Sequence, residues 1–133
     1  HGEAEDLLPE KKESFDVVTC LEAIEHVPDP QQLVKTCSDL CKPGGTIVFS
    51  TINRNPKSFL FAIIGAEYIL NLLPKGTHEF KKFLKPLELS NMMRNSNLEV
   101  KEIIGMSYNP LTKKYWLGKD VDVNYMIHAE KSK

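Results

Sequence analysis

Apolar positions along this chain follow two rhythms, and their alternation outlines the fold. Phe15-Asp16-Val17-Val18-Thr19-Cys20 is a short, mostly apolar run bounded by polar residues, which predicts a strand. Asp29 then offers a helix N-cap and Pro30 suits the first helical position, so the next stretch predicts a helix to about Cys41. Lys42-Pro43-Gly44-Gly45 stops it, because proline breaks the hydrogen-bond ladder and glycine accepts positive φ. Thr46 to Thr51 (T-I-V-F-S-T) predicts a buried, β-branched strand. Strand, helix, glycine turn and strand make a βαβ unit, which implies a parallel sheet with a right-handed crossover.

Phe59 to Leu73 (F-L-F-A-I-I-G-A-E-Y-I-L-N-L-L) is broken only by Glu67 and Asn71, four apart on one helix face. Fifteen residues fall short of the roughly twenty needed to cross a bilayer. Two readings stand: a buried core helix, or an amphipathic lid resting on a membrane. The second draws on Lys75, Lys81, Lys82 and Lys85, interleaved with Phe80 and Phe83, since apolar surface beside lysines suits an anionic lipid surface. Further on, Pro86 to Asn95 predicts a short helix with Leu87, Leu89, Met92 and Met93 available for the core. Leu98 to Ile104 and Val121 to His128 alternate as strands, with a loop or hairpin tip between them holding Asn109-Pro110 and Tyr115-Trp116. Two late strands after a βαβ unit suggest an antiparallel pair added to a parallel edge. With no repeats and no boundary after residue 15, the chain reads as one domain over 1–133, with a polar leader at 1–14 and an inserted apolar helix and basic loop at 57–85.

A net charge of −1 and the absence of a Lys/Arg-rich block exclude an electrostatic nucleic-acid binder. Three cysteines without finger spacing read as small core residues in a reducing compartment, with Cys37 and Cys41 expected on one helix face. The opening residues have neither signal-peptide nor transit-peptide character and read as the middle of a larger protein.

Chemistry concentrates where the first strand ends, in Glu22-Ala23-Ile24-Glu25-His26. Open α/β sheets bind ligands just beyond the carboxyl ends of their strands. Two carboxylates and an imidazole there suit a hard divalent cation. The plainer reading is a polar loop in which His26 ties down the turn before Pro28.

F-D-V-V-T-C-L-E-A-I-E-H-V-P-D-P (15–30) and K-P-G-G-T-I-V-F-S-T-I-N-R-N (42–55) resemble the class I adenosylmethionine-dependent methyltransferases. G-A-E-Y-I-L-N-L-L-P-K-G-T-H-E-F-K-K-F-L-K-P (65–86), Y-N-P-L-T (108–112) and V-D-V-N-Y-M-I-H (121–128) narrow the resemblance to the ubiquinone-biosynthesis O-methyltransferases, which methylate polyprenylated catechol and benzoquinol intermediates. The resemblance implies an α/β fold, the second half of a Rossmann-like sheet of seven strands, parallel apart from an antiparallel C-terminal pair. It implies S-adenosylmethionine as donor, contacted by Leu21, and Mg2+ ligated by Glu22, Glu25 and His26. A cation beside a catechol would lower its hydroxyl pKa and orient the oxygen. His26 could instead be the general base, a role that competes with ligation.

The same resemblance implies a polyprenyl quinol substrate and docking to an anionic membrane through Phe59–Leu73 with Lys75, Lys81, Lys82 and Lys85. It further implies other ubiquinone-pathway proteins as partners, and a location at the bacterial inner membrane or the matrix face of the mitochondrial one. The family's glycine-rich donor turn and ribose-binding acid have no counterpart, since no G-x-G run occurs and Glu5 and Asp6 come too late. The expectation is therefore an enzyme fragment, whose first strand would need a second copy or another element at its edge; the alternative is a noncatalytic product that only binds membrane or partner. His78 and Tyr108 are left between substrate contact and ordinary loop and packing roles.

Overall fold

The computed structural model describes residues 2–60, 79–109 and 112–133. After a 3-10 turn at Ala4–Leu7, the elements are α1 (Leu8–Lys11), β1 (Phe15–Leu21), α2 (Pro30–Leu40), β2 (Cys41–Ile52), α3 (Pro56–Ser58), α4 (Pro86–Arg94), β3 (Leu98–Asn109), β4 (Lys114–Gly118) and β5 (Asn124–Lys131). They form a five-stranded sheet in the order β1-β2-β5-β3-β4. β1 and β2 are parallel, while β5 is antiparallel to both β2 and β3. β1, β2 and β3 therefore run the same way, and their carboxyl ends share one end of the sheet.

The expected βαβ unit forms as the residues dictate. The Asp29 carboxylate accepts from the Gln32 N–H at 3.0 Å, Pro30 opens α2, and β1 aligns with β2 from Val17↔Thr46 to Leu21↔Ser50. Lys42 to Gly45 loop out between the Phe15↔Cys41 and Val17↔Thr46 pairs, with Gly44 at φ +76°. Cys41 is thus the first residue of β2, not a helical neighbour of Cys37; both are buried. The expected C-terminal pair forms too: β3 and β5 are antiparallel and add to the β2 edge of the parallel pair, with β5 next to β2. The polar leader is partly helical and rests on α2, where Thr36 Oγ1 donates to Glu5 Oε1 at 3.0 Å.

One face of the sheet carries the core. Ile47, Phe49 and Thr51 of β2 stand opposite Ala129, Ile127 and Tyr125 of β5, so all six point to the same side. There they are buried with Val34 and Cys37 of α2 and Leu89 and Met93 of α4. Burial of each large apolar side chain contributes roughly 1.5–3 kcal/mol. Gln31 fastens the two helices by donating to Met92 O (3.2 Å) and Ser96 Oγ (3.0 Å). Leu87, expected in the core, is exposed, and Met92 is half-buried. Most of the apolar segment Phe59–Leu73, together with Lys75 and His78, lies outside the described residues; Phe59 and Leu60 are exposed. Among the described residues no helix is long and apolar enough to cross a membrane.

Near the end of β3 the chain crosses itself closely. A Cβ at Gly105 would stand 1.7 Å from the Asp120 carbonyl oxygen. Gly105→Ala is therefore expected to destabilise the fold by about 1–3 kcal/mol, measured by urea unfolding; a change below about 0.5 kcal/mol would show that the crossing relaxes freely.

Candidate active site

The Glu22-to-His26 loop leaves the carboxyl end of β1 beside the carboxyl end of β2. Glu22 has left-handed backbone geometry (φ +50°), unusual for a residue with a Cβ. Ser50 holds it there. The Glu22 N–H lies 3.1 Å from both Ser50 O and Ser50 Oγ, and Ser50 Oγ lies 2.7 Å from Glu22 Oε1. One serine thus fixes both the strained backbone and the carboxylate.

Glu25 is held by the next residue along β2. Thr51 Oγ1 donates to Glu25 Oε2 at 2.8 Å, and Glu25 is only 2% exposed. Its Oε1 is buried with no hydrogen-bond partner among the described residues. Nearby, Tyr125 donates its phenol to Leu84 O at 2.8 Å. Burial, reinforced by the charges of Glu88, Glu25 and Glu22, keeps that phenol protonated well above the ordinary tyrosine range. Arg54, at the end of β2, pairs with Glu88 and donates to Phe83 O at 3.2 Å, pinning the start of α4 to this end of the sheet.

Successive side chains of a strand point to opposite faces. Ser50 and Thr51 therefore hold Glu22 and Glu25 on opposite sides of β2, one in solvent and one beneath the helices. The expected magnesium site finds no support in this arrangement. Glu22, Glu25 and His26 are close in sequence, yet among the described residues no three His, Cys, Asp or Glu side chains gather to hold a metal ion. The donor set does not fit magnesium as a three-ligand group. His26 ends a 3-10 turn at Ile24–His26 and is exposed, and Leu21 at the tip of β1 is 51% exposed. Tyr108 lies on β3 and stacks on Tyr115.

Spacing within the loop did not reveal Ser50, Thr51 or Tyr125. Their sequence signal is slight: two adjacent hydroxyl residues ending an apolar strand, and a tyrosine in the paired strand.

A family model described as a methyltransferase domain matches residues 1–103. The protein called ubiquinone biosynthesis O-methyltransferase in Pseudomonas syringae pv. tomato is 64% identical over 126 residues, which cover 95% of this chain and 54% of that protein. Its namesake in Marinobacter nauticus is 64% identical over 121 residues, 91% of this chain and 51% of that protein. The chain spans about half the length of these curated relatives. Among solved structures, an adenosylmethionine-dependent methyltransferase from Thermotoga maritima, described as a possible histamine N-methyltransferase, superposes with a TM-score of 0.70 at 20% identity, covering 98% of this chain and 62% of that one. The cyclase SpnF superposes with a TM-score of 0.62 at 10% identity, covering 98% and 55%. Likeness at such identities concerns the fold alone.

Thr51→Val keeps the shape of the side chain and removes the one hydrogen-bond partner that the Glu25 carboxylate has among the described residues. Thermal unfolding should show a loss of about 1–3 kcal/mol, restored by Thr51→Ser; an unchanged midpoint for the valine variant would refute this anchoring.

Proposed function

This chain belongs to the methyltransferase-domain family, and on that premise we propose that it serves adenosylmethionine-dependent O-methylation of a polyprenyl catechol or benzoquinol in ubiquinone biosynthesis. What supports the reading is that Leu21, Glu22 and His26 lie on the segment that leaves the carboxyl end of β1 beside that of β2, where such sheets bind ligands. The names of relatives at 64% identity support the substrate class.

Bound adenosylmethionine supplies an electrophilic methyl group on a cationic sulfur. Leu21 offers exposed apolar surface at the tip of β1, which fits contact with the donor. His26 accepts the proton of the substrate hydroxyl on a ring nitrogen. The methyl group would then pass from the donor's sulfur to that oxygen, an O–C bond replacing the C–S bond and the donor leaving as a thioether. Ser50 fixes Glu22, and Thr51 and Glu25 set the loop that presents His26. No step passes through magnesium, because its expected ligands are held apart on two faces of β2.

A quinol with a polyprenyl tail resides in lipid. Lys81, Lys82 and Lys85 are exposed, and so is Phe59, which meets half-buried Phe80 at 5.4 Å; Phe80 in turn packs edge-on at 5.8 Å against buried Phe83. This supports docking to an anionic membrane, which among bacterial relatives would be the cytoplasmic face of the inner membrane. Self-association through the outer edge of β1, where Val17 is 58% exposed, belongs to the same proposal, as does contact with other proteins of the pathway.

Two outcomes test this reading. With radiolabelled adenosylmethionine and a short-chain polyprenyl catechol, His26→Gln in a full-length protein carrying this segment should lower kcat by about 10²–10⁴-fold; turnover equal to that of the unsubstituted protein would remove His26 from the chemistry. Lys81→Glu with Lys82→Glu should weaken sedimentation with phosphatidylglycerol vesicles, and unchanged sedimentation would refute docking through this loop.

A further inference from the structure

The β3–β4 hairpin has a surface that methyl transfer leaves unused. Tyr108, Tyr115, Trp116 and Leu117 are 40%, 68%, 52% and 59% exposed. Tyr108 and Tyr115 are cross-strand partners whose rings stack at 4.4 Å. Lys113, Lys114 and Lys119 flank these residues and are exposed, and no Asp or Glu occurs between Ile103 and Lys119. Apolar surface of this size left in water marks an interaction site.

Geometry selects the kind of partner. Tyr115, Trp116 and Leu117 are consecutive on an edge strand, so their side chains alternate between its two faces. A flat protein surface could cover only one face. A fluid lipid interface can surround both. Indole and phenol rings are suited to the headgroup region, and the lysines complement anionic lipid.

The hairpin is also placed to reach a bilayer. The ladders of β2 and β3 with β5 both end at Asn124, opposite Ile52 and Met106. Ser107 to Asn109 therefore extend beyond the three-strand body by about 10 Å. This is the end of the sheet that carries the Glu22–His26 loop. Lys57 bonds Asp120 (2.9 Å) and Asp122 (3.0 Å), tying the chain after β4 to the segment that leads into exposed Phe59 and Leu60.

We propose that the β3–β4 hairpin is an interfacial anchor whose Tyr108, Tyr115, Trp116 and Leu117 insert into an anionic lipid bilayer under guidance from Lys113, Lys114 and Lys119. The anchor stands apart from the catalytic reading and from the loop containing Lys81 and Lys82.

Trp116 is the only tryptophan in the chain, so its emission reports on the hairpin directly. Vesicles of phosphatidylglycerol and phosphatidylcholine should shift that emission to the blue and shield it from acrylamide, whereas pure phosphatidylcholine should do so far less. Lys113→Gln with Lys114→Gln should lower the partition coefficient onto the anionic vesicles roughly thirtyfold. Emission that stays unshifted while the chain sediments with anionic vesicles would overturn the anchor and leave only docking elsewhere. An equal response to both vesicle types, or a blue shift that follows protein concentration without lipid, would overturn it in favour of uncharged insertion or a second copy.

Discussion

The alternation of side chains at the carboxyl end of β2 governs the site. Ser50 faces one side of the sheet and Thr51 the other, and each hydroxyl holds one carboxylate of the preceding loop. Register keeps them there, because β2 is paired with β1 on one side and β5 on the other. A slip of one residue against either neighbour would exchange the faces and bury the wrong glutamate. The core and the site are thus one arrangement: the packing of Phe49 and Ile47 beneath α2 and α4 determines where Thr51 points.

This division gives the two glutamates different tasks. Glu25 lies under the helices with one oxygen bonded to Thr51, and it supports the loop from within. Glu22 lies in solvent on a left-handed backbone that Ser50 stabilises through three contacts. Leu21 and His26 are exposed on either side of it in sequence, while the Arg54–Glu88 pair and the Tyr125–Leu84 bond keep the surrounding end of the sheet in place.

Much of the architecture was legible in the residues. Asp29 and Pro30 start α2, the Pro43-Gly44-Gly45 stretch loops out before β2 resumes, and the βαβ unit follows. Other features depend on contacts distant in sequence. Nothing local in V-D-V-N-Y-M-I-H says that its strand enters between β2 and β3; pairing of Phe49 with Ile127 decides that. The β4 strand was less visible still, because K-Y-W-L-G is exposed from Lys114 to Leu117 and lacks the alternation of a half-buried strand. The acid and histidine loop was visible as a candidate site. Its ligand geometry was not, since the residues that separate Glu22 from Glu25 lie more than twenty positions later. Spacing records which groups are neighbours along the chain, whereas the strand beside them decides which way each one faces.

If the end of β1 holds the methyl donor, titration of adenosylmethionine into the chain by calorimetry should show saturable binding that is lost or sharply weakened by Leu21→Glu. Equal binding by both chains, or no binding by the parent chain, would contradict a donor site there.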